Sequence, residues 1–247
     1  MRRAGPEIDV LAAALRVSRR TVVLTGAGVS AESGIPTFRD PQDGLWARYR
    51  AEDLATPEAF ARDPRLVWQW YQWRREAIAA AKPNAAHLAI AALDRLLPSL
   101  VLVTQNVDGL HQQAGSRSVL ELHGNILRNR CSRENRLTDI DTRGTSKPPR
   151  CPSCGAYIRP DVVWFGEPLP PQILAASQAA AGNCDLLIAV GTSSMVMPAA
   201  GLIALARSAG ARFAEVNPQE TLVSSQADIS LRMPAGEAFP AVLAALD

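Results

Sequence analysis

Three groups of residues have the types and spacing to do chemistry. His123 stands before Gly124, and an imidazole with an ordinary pKa near ~6.5 suits general-base proton transfer at neutral pH. The chain's other two histidines read as structural: His87 sits at a helix start in Pro83-Asn84-Ala85-Ala86-His87, and His111 follows Leu110. The second group is Tyr71-Gln72-Trp73-Arg74. On a helix, positions i and i+3 share a face, so this phenol and guanidinium can jointly bind a carboxylate, the arginine bidentately. Alone the pattern also fits an amphipathic helix, and the neighbouring Arg75 reads as a solvated arginine of such a helix. The third group, Cys151-Pro152-Ser153-Cys154, reads as half of a zinc ribbon, whose other half belongs about 15–20 residues upstream. Cys131 stands there, but Glu134 takes the place of the fourth cysteine. Three thiolates with a carboxylate or water could hold structural zinc. The alternative is an empty site in a lobe held by packing. Cys184, just before an apolar run, reads as a buried core thiol.

Short apolar runs must position these groups. Thr21–Thr25, 100–103, Leu186–Val190, Arg212–Val216 and a weaker 229–233 fit strands buried on both faces of a parallel sheet. Helical patterns occupy Pro6–Val17, 83–97, 171–181 and 198–209. Strands alternating with helices predict a doubly wound, Rossmann-like α/β domain. Two stretches interrupt it. Residues 40–81 hold a helix with clustered aromatics, and 125–160 is polar and without periodicity, a long stretch that needs its own stabiliser. The reading is one domain over 1–247, with a Rossmann-like lobe (6–39, 83–124, 161–247) and a smaller lobe made of a helical insertion (40–82) and a zinc-ribbon-like insertion (125–160).

Gly26-Ala27-Gly28-Val29-Ser30-Ala31 follows the first apolar run directly. Glycines there allow a tight turn and close approach to a pyrophosphate, and the helix N-terminus that follows offers free N–H groups. A hydride-transfer dehydrogenase would show an acidic residue about 20 residues on, at the end of a second strand. Here the chain runs into Glu32-Ser33-Gly34-Ile35-Pro36-Thr37-Phe38-Arg39 and no second strand arrives.

In order along the chain come Gly26-Ala27-Gly28-Val29-Ser30, Gly34-Ile35-Pro36-Thr37-Phe38-Arg39, Thr104-Gln105-Asn106-Val107-Asp108-Gly109-Leu110-His111, His123-Gly124, Val163-Trp164-Phe165-Gly166-Glu167 and Gly191-Thr192-Ser193-Ser194. This set resembles the defining motifs of the sirtuins, over nearly the whole chain. The resemblance implies NAD as a consumed co-substrate. An acyl-lysine oxygen would attack the nicotinamide ribose, giving nicotinamide, free lysine and O-acyl-ADP-ribose. It implies that Asn106 and Asp108 hold the nicotinamide carboxamide, that Gln105 touches the ribose, and that His123 takes a proton relayed from the ribose hydroxyls. Gly26, Ala27, Gly28, Ser30, Ala31, Phe38 and Arg39 would line the dinucleotide. Gly191, Thr192, Ser193 and Asn217 would bind its adenosine half, with Ala235 near the adenine. Val163, Gly166 and Glu167 resemble a segment that pairs with an extended substrate peptide. Tyr71 and Arg74 match the Tyr-x-x-Arg of class III sirtuins, which remove succinyl and malonyl groups, and deacetylation by the same enzyme stays open.

Bulk composition agrees. The chain has 247 residues, 47% hydrophobic and 20% charged, with a net charge of only +2. So weak an excess gives no reason to expect nucleic acid or an anionic membrane as partner. No run approaches the roughly 18–20 apolar residues that span a bilayer, and the acidic residues at 7 and 9 make a poor secretory signal; a cytoplasmic protein acting on acyl-lysine proteins is expected. Three other readings share parts of this pattern: a mono-ADP-ribosyltransferase, a non-catalytic NAD sensor and a generic oxidoreductase.

Overall fold

The computed structural model describes residues 5–36, 46 and 48–246. Its strands, in chain order, are β1 (Thr21–Thr25), β2 (Leu100–Thr104), β3 (Val119–Glu121), β4 (Gly124–Cys131), β5 (Leu137–Thr138), β6 (Ile158–Val162), β7 (Leu186–Val190), β8 (Arg212–Val216) and β9 (Ile229–Leu231). Its helices are α1 (Pro6–Val17), α2 (Gly28–Ala31), α3 (Ala51–Leu54), α4 (Pro57–Arg62), α5 (Pro64–Ala80), α6 (Ala85–Leu96), α7 (Leu110–Gln113), α8 (Pro171–Asn183), α9 (Gly201–Ser208) and α10 (Ala235–Leu246).

The apolar runs form one six-stranded sheet, β3-β2-β1-β7-β8-β9, with parallel neighbours throughout. Alternation along each strand feeds two cores. Val23, Leu186, Ile188 and Val190 pack with α1, α6 and α10 on one face. Val22, Leu24, Leu187 and Ala189 pack with α8 and α9 on the other. From β1 the chain moves outward through β2 and β3, then resumes on the opposite side at β7. The carboxyl ends of β1, β2, β7 and β8 therefore meet at a topological switch point, where open α/β sheets keep their ligand crevice. Helix α10 lies beyond the last run expected from periodicity. Pro240 inside it reads as a helix end in sequence, which hides it.

The two interruptions form the rest. Among the described residues of 40–81 lie three α-helices, and the clustered aromatics are on α5. Thr56 and Asp63 cap α4 and α5 by accepting from Ala59 N (3.1 Å) and Leu66 N (2.9 Å), each with a proline in the first turn. The polar stretch folds into an antiparallel sheet, β5-β4-β6, whose strands span 124–162. Periodicity misses it because the β4–β6 register shifts between Asn125 and Asn129, which breaks the two-residue alternation. Pro160 is tolerated because β6 is an edge strand.

Arg75 is not solvated as expected. Its guanidinium donates to Ile126 O (2.6 Å), Arg128 O (3.1 Å), Asn129 Oδ1 (2.8 Å) and Thr142 Oγ1 (3.0 Å), joining α5 to β4 and the loop after β5. Gln72 Nε2 donates to Thr142 O at 2.6 Å and Trp68 Nε1 to Thr145 O at 3.1 Å along the same seam. These polar contacts add to an apolar one, since Val67, Trp70, Tyr71 and Ile78 of α5 share a buried cluster with Ile126 of β4 and Val162 of β6. Among the described residues no helix is long and apolar enough to cross a membrane.

Candidate active site

The strand ends bring the sequence-predicted residues together through their own hydrogen bonds. Asn106 Nδ2 donates to Ser30 Oγ (3.0 Å), and Ser30 Oγ donates to Asp108 Oδ2 (2.7 Å). Gln105 Nε2 donates to Thr192 Oγ1 (2.9 Å), and Asn217 Nδ2 donates to Thr192 O (3.0 Å). The ends of β1, β2, β7 and β8 are thus tied into one polar floor, with Ser193 in the same loop. Asn106 and Asp108 are buried. Ala235 starts α10, whose Gly236 N donates to Glu32 Oε2 at 2.8 Å, so the helix start sits against the exit of the glycine loop.

His123 Nδ1 lies 2.9 Å from Gln105 O. A carbonyl oxygen only accepts, so Nδ1 carries the proton and Nε2 keeps its basic lone pair. Burial holds the imidazole below its ordinary pKa, partly offset by that hydrogen bond. A neutral ring with an assigned tautomer is the form a general base needs. Gly124 beside it has φ +79°, and a side chain there would collide with Asp161 O, so no other residue turns the chain so tightly after the histidine.

The glycine loop differs from expectation in two ways. A Cβ on Gly26 would lie 2.8 Å from Thr192 Cα, and one on Gly28 2.8 Å from Gly191 O. These glycines admit the β7 loop, backbone against backbone. The following helix α2 is a single turn whose N–H groups are already used: Gly28 N donates to Gly191 O, Val29 N to Gly26 O, and Ser30 N and Ala31 N to Ala27 O. Among the described residues the loop keeps only the Ala27 N–H for a ligand. Phe38 and Arg39, assigned to the dinucleotide from sequence, lie outside the described residues.

His87 and His111 take the structural places expected of them. Asn84 and His87 form a reciprocal cap on α6, and His111 Nε2 pairs with Thr25 Oγ1 at 3.0 Å. Their ring centroids lie 4.7 Å apart with the planes tilted by 54°, and burial pushes their pKa values down to about 4 and about 3.

On α5, Tyr71 is 2% exposed and Trp164 Nε1 donates to its hydroxyl at 2.8 Å. Burial, opposed by nearby Arg74, pushes the phenol up to about 12, so it stays a neutral donor. Arg74 lies one turn on, its guanidinium centre 5.1 Å from the Trp70 ring. Burial lowers its pKa, while the Tyr71 phenol and the Asp108 carboxylate raise it. Sequence reading missed the support behind this pair, since nothing in the spacing of Arg159, Trp164 and Tyr71 signals that they meet. In the 163–167 segment, Val163 N is taken by His123 O (2.9 Å), and Gly166 is exposed with φ +86°. Glu167 uses its carboxylate inward, on Arg159 and on Trp164 N (2.8 Å).

At the tip of the small sheet, ligand atoms of Cys131, Glu134, Cys151 and Cys154 all lie within 4.8 Å of one another. Glu134 therefore stands where the fourth ligand is needed. Backbone N–H groups of Cys154 and Ser153 pull the Cys151 thiol down to about 7, favouring the thiolate that binds metal. The donor set fits a closed tetrahedral structural ion. Cys184 is buried, as expected of a core thiol.

A switch-point crevice with a neutral base, an amide–carboxylate pair and a cysteine-built accessory sheet defines a dinucleotide-using α/β enzyme with a structural-metal lobe. Comparison with known proteins narrows this. Residues 26–198 match the Sir2 family model. The chain is 52% identical to an NAD-dependent protein deacylase of Ralstonia nicotianae over 230 residues, covering 93% of each protein. A Sir2 homolog–NAD complex superposes with TM-score 0.91 at 46% identity, covering 96% of this chain and 93% of that one. A Sir2–p53 peptide–NAD+ complex gives TM-score 0.83 at 33% identity, covering 95% and 96%. The chain belongs to the Sir2 family.

Proposed function

We propose that the protein is an NAD-dependent protein-lysine deacylase that prefers acidic acyl groups such as succinyl and malonyl and also removes acetyl. The observation that carries the catalytic reading is the fixed tautomer of His123, whose Nδ1 is committed to Gln105 O and whose Nε2 is free to take a proton. Bound NAD supplies the ribose carbon that accepts the acyl oxygen, and nicotinamide as leaving group. Around it, Asn106 and Asp108 hold the carboxamide, with Ser30 locking the two side chains in register. Gln105 orients the ribose and is itself held by Thr192. Gly191, Ser193, Asn217 and Ala235 serve the adenosine half, and the Ala27 N–H serves a phosphate oxygen. His123 Nε2 accepts the proton that frees a ribose hydroxyl to attack the acyl carbon.

The finer reading rests on Tyr71 and Arg74, a neutral buried phenol donor and a cation on one helix face near Asp108. An extended peptide would pair with the 163–167 backbone through groups other than the N–H of Val163, Trp164, Phe165 and Glu167, which bond within the fold. The chain is read as one catalytic domain, its accessory sheet held by zinc on Cys131, Glu134, Cys151 and Cys154. Side-by-side turnover of acetyl- and succinyl-lysine peptides with NAD tests the proposal. The succinyl peptide should give the higher kcat/KM; turnover of the acetyl peptide alone rejects the acidic-acyl reading.

A further inference from the structure

We infer that Trp164 is a specificity-determining positioning residue: its indole N–H fixes the direction in which the Tyr71 hydroxyl donates, and through it the grip on an acyl carboxylate. This deepens the acidic-acyl reading above and rests on it. A phenol oxygen can accept and can donate one proton, whereas an indole nitrogen only donates. At 2.8 Å from Trp164 Nε1, the Tyr71 oxygen must therefore act as acceptor, and its own proton is turned away from the indole. Among the described residues no acceptor takes that proton, although Tyr71 is buried. A buried donor without an acceptor is costly. A substrate carboxylate beside Arg74 would relieve that cost, whereas an acetyl methyl would not.

The indole is itself clamped. The Arg159 guanidinium sits over the Trp164 ring with its central carbon 3.3 Å from the ring centroid. Both Arg159 terminal nitrogens bind the Glu167 carboxylate, at 2.5 and 2.8 Å, and the same carboxylate accepts from Trp164 N at 2.8 Å. Phe60 packs against the other part of the ring, with centroids 5.2 Å apart. Glu167, one of the residues first read as touching substrate, thus acts on the acyl group through Arg159 and Trp164. A phenylalanine at 164 would keep the aromatic body and remove only the donor.

The test is kcat and KM on acetyl- and succinyl-lysine peptides with NAD for wild type, Trp164→Phe, Tyr71→Phe and the double variant. Trp164→Phe should raise KM for the succinyl peptide by about threefold to tenfold, leave its kcat within about twofold, and lower the succinyl-to-acetyl ratio of kcat/KM by the same factor as KM. In the Tyr71→Phe background the added Trp164→Phe change should move that ratio by less than about twofold, because the hydroxyl it directs is gone. A ratio that falls in Tyr71→Phe but stays at wild type in Trp164→Phe overturns the inference and spares the acidic-acyl reading. A ratio untouched by Tyr71→Phe overturns both. If Trp164→Phe fails to fold, Glu167→Gln, which loosens Arg159, should lower the ratio in the same direction by a smaller factor, and an unchanged ratio there overturns the inference.

Discussion

The two sheets of this molecule are held together by different balances of apolar and polar contact. The six-stranded sheet is sealed by apolar side chains on both faces. Its polar residues gather at the carboxyl ends of the strands, where Ser30, Asn106, Asp108, Gln105 and Thr192 bond one another. The three-stranded sheet lends Ile126 and Val162 to an apolar cluster with α5, has a small core of its own around Cys131, Cys151 and Ile158, and is further secured by Arg75, Gln72, Trp68 and the cysteine cluster. The large lobe thus positions chemistry on a platform covered on both faces, and the small lobe adds a few directional contacts to an apolar cluster on one side of its sheet. Loss of one residue should have different consequences in the two: in the crevice it removes function without unfolding, and in the small lobe it loosens structure first.

The sharpest way to break that contrast is His123→Ala. It should lower NAD-dependent deacylation by about a thousandfold, in the range expected for loss of a general base, with an unchanged melting temperature. Substantial residual turnover, or a lower melting point, would put His123 among the structural residues. Next in size is Arg74→Met, which should cost succinyl-peptide kcat/KM about tenfold to a hundredfold and acetyl-peptide kcat/KM far less. Equal losses on the two peptides would show that Arg74 does not read the acyl group. Arg75→Met, one residue along, should do the reverse: about 2–3 kcal/mol of destabilisation from orphaned carbonyls of β4, with little change in acyl preference. A wild-type melting curve would refute the seam.

At the tip of the small sheet, metal analysis of purified protein should find close to one zinc per chain, and Cys151→Ala should lose it and melt earlier. Absence of metal in the wild type would leave that lobe to packing alone. Acid stability tests the buried histidine pair of the large lobe. His87 and His111 are neutral in the fold, with pKa values down at about 4 and about 3, but ordinary in the unfolded chain. Below about pH 6.5 the unfolded chain therefore binds protons that the fold refuses, so stability is full above that pH and falls toward pH 4. A denaturation midpoint that is flat between pH 7 and 4.5 would contradict the buried pair.

This contrast also explains what was legible from sequence. The large lobe declared itself because strands covered on both faces must be apolar throughout, as Val22-Val23-Leu24 and Leu187-Ile188 are. The crevice residues were legible because they follow those strands directly. The small lobe was legible only at its motifs. Arg75 looked like any surface arginine on an amphipathic helix, and its partners are backbone carbonyls that carry no sequence signal. Strand β4 was hidden by its bulge, α10 by Pro240, and the glycines at 26 and 28 were read toward a phosphate when their first neighbour is the backbone at 191–192. Glu134 looked like a lost ligand by type, and only its placement in the cluster shows that it can serve as one.

The central claim is tested most directly by resolving the products of the wild-type enzyme with NAD and a succinyl-lysine peptide. The account predicts nicotinamide, unmodified lysine peptide and O-succinyl-ADP-ribose in equal amounts. Retention of the ADP-ribose on protein, or no release of nicotinamide at all, would contradict it.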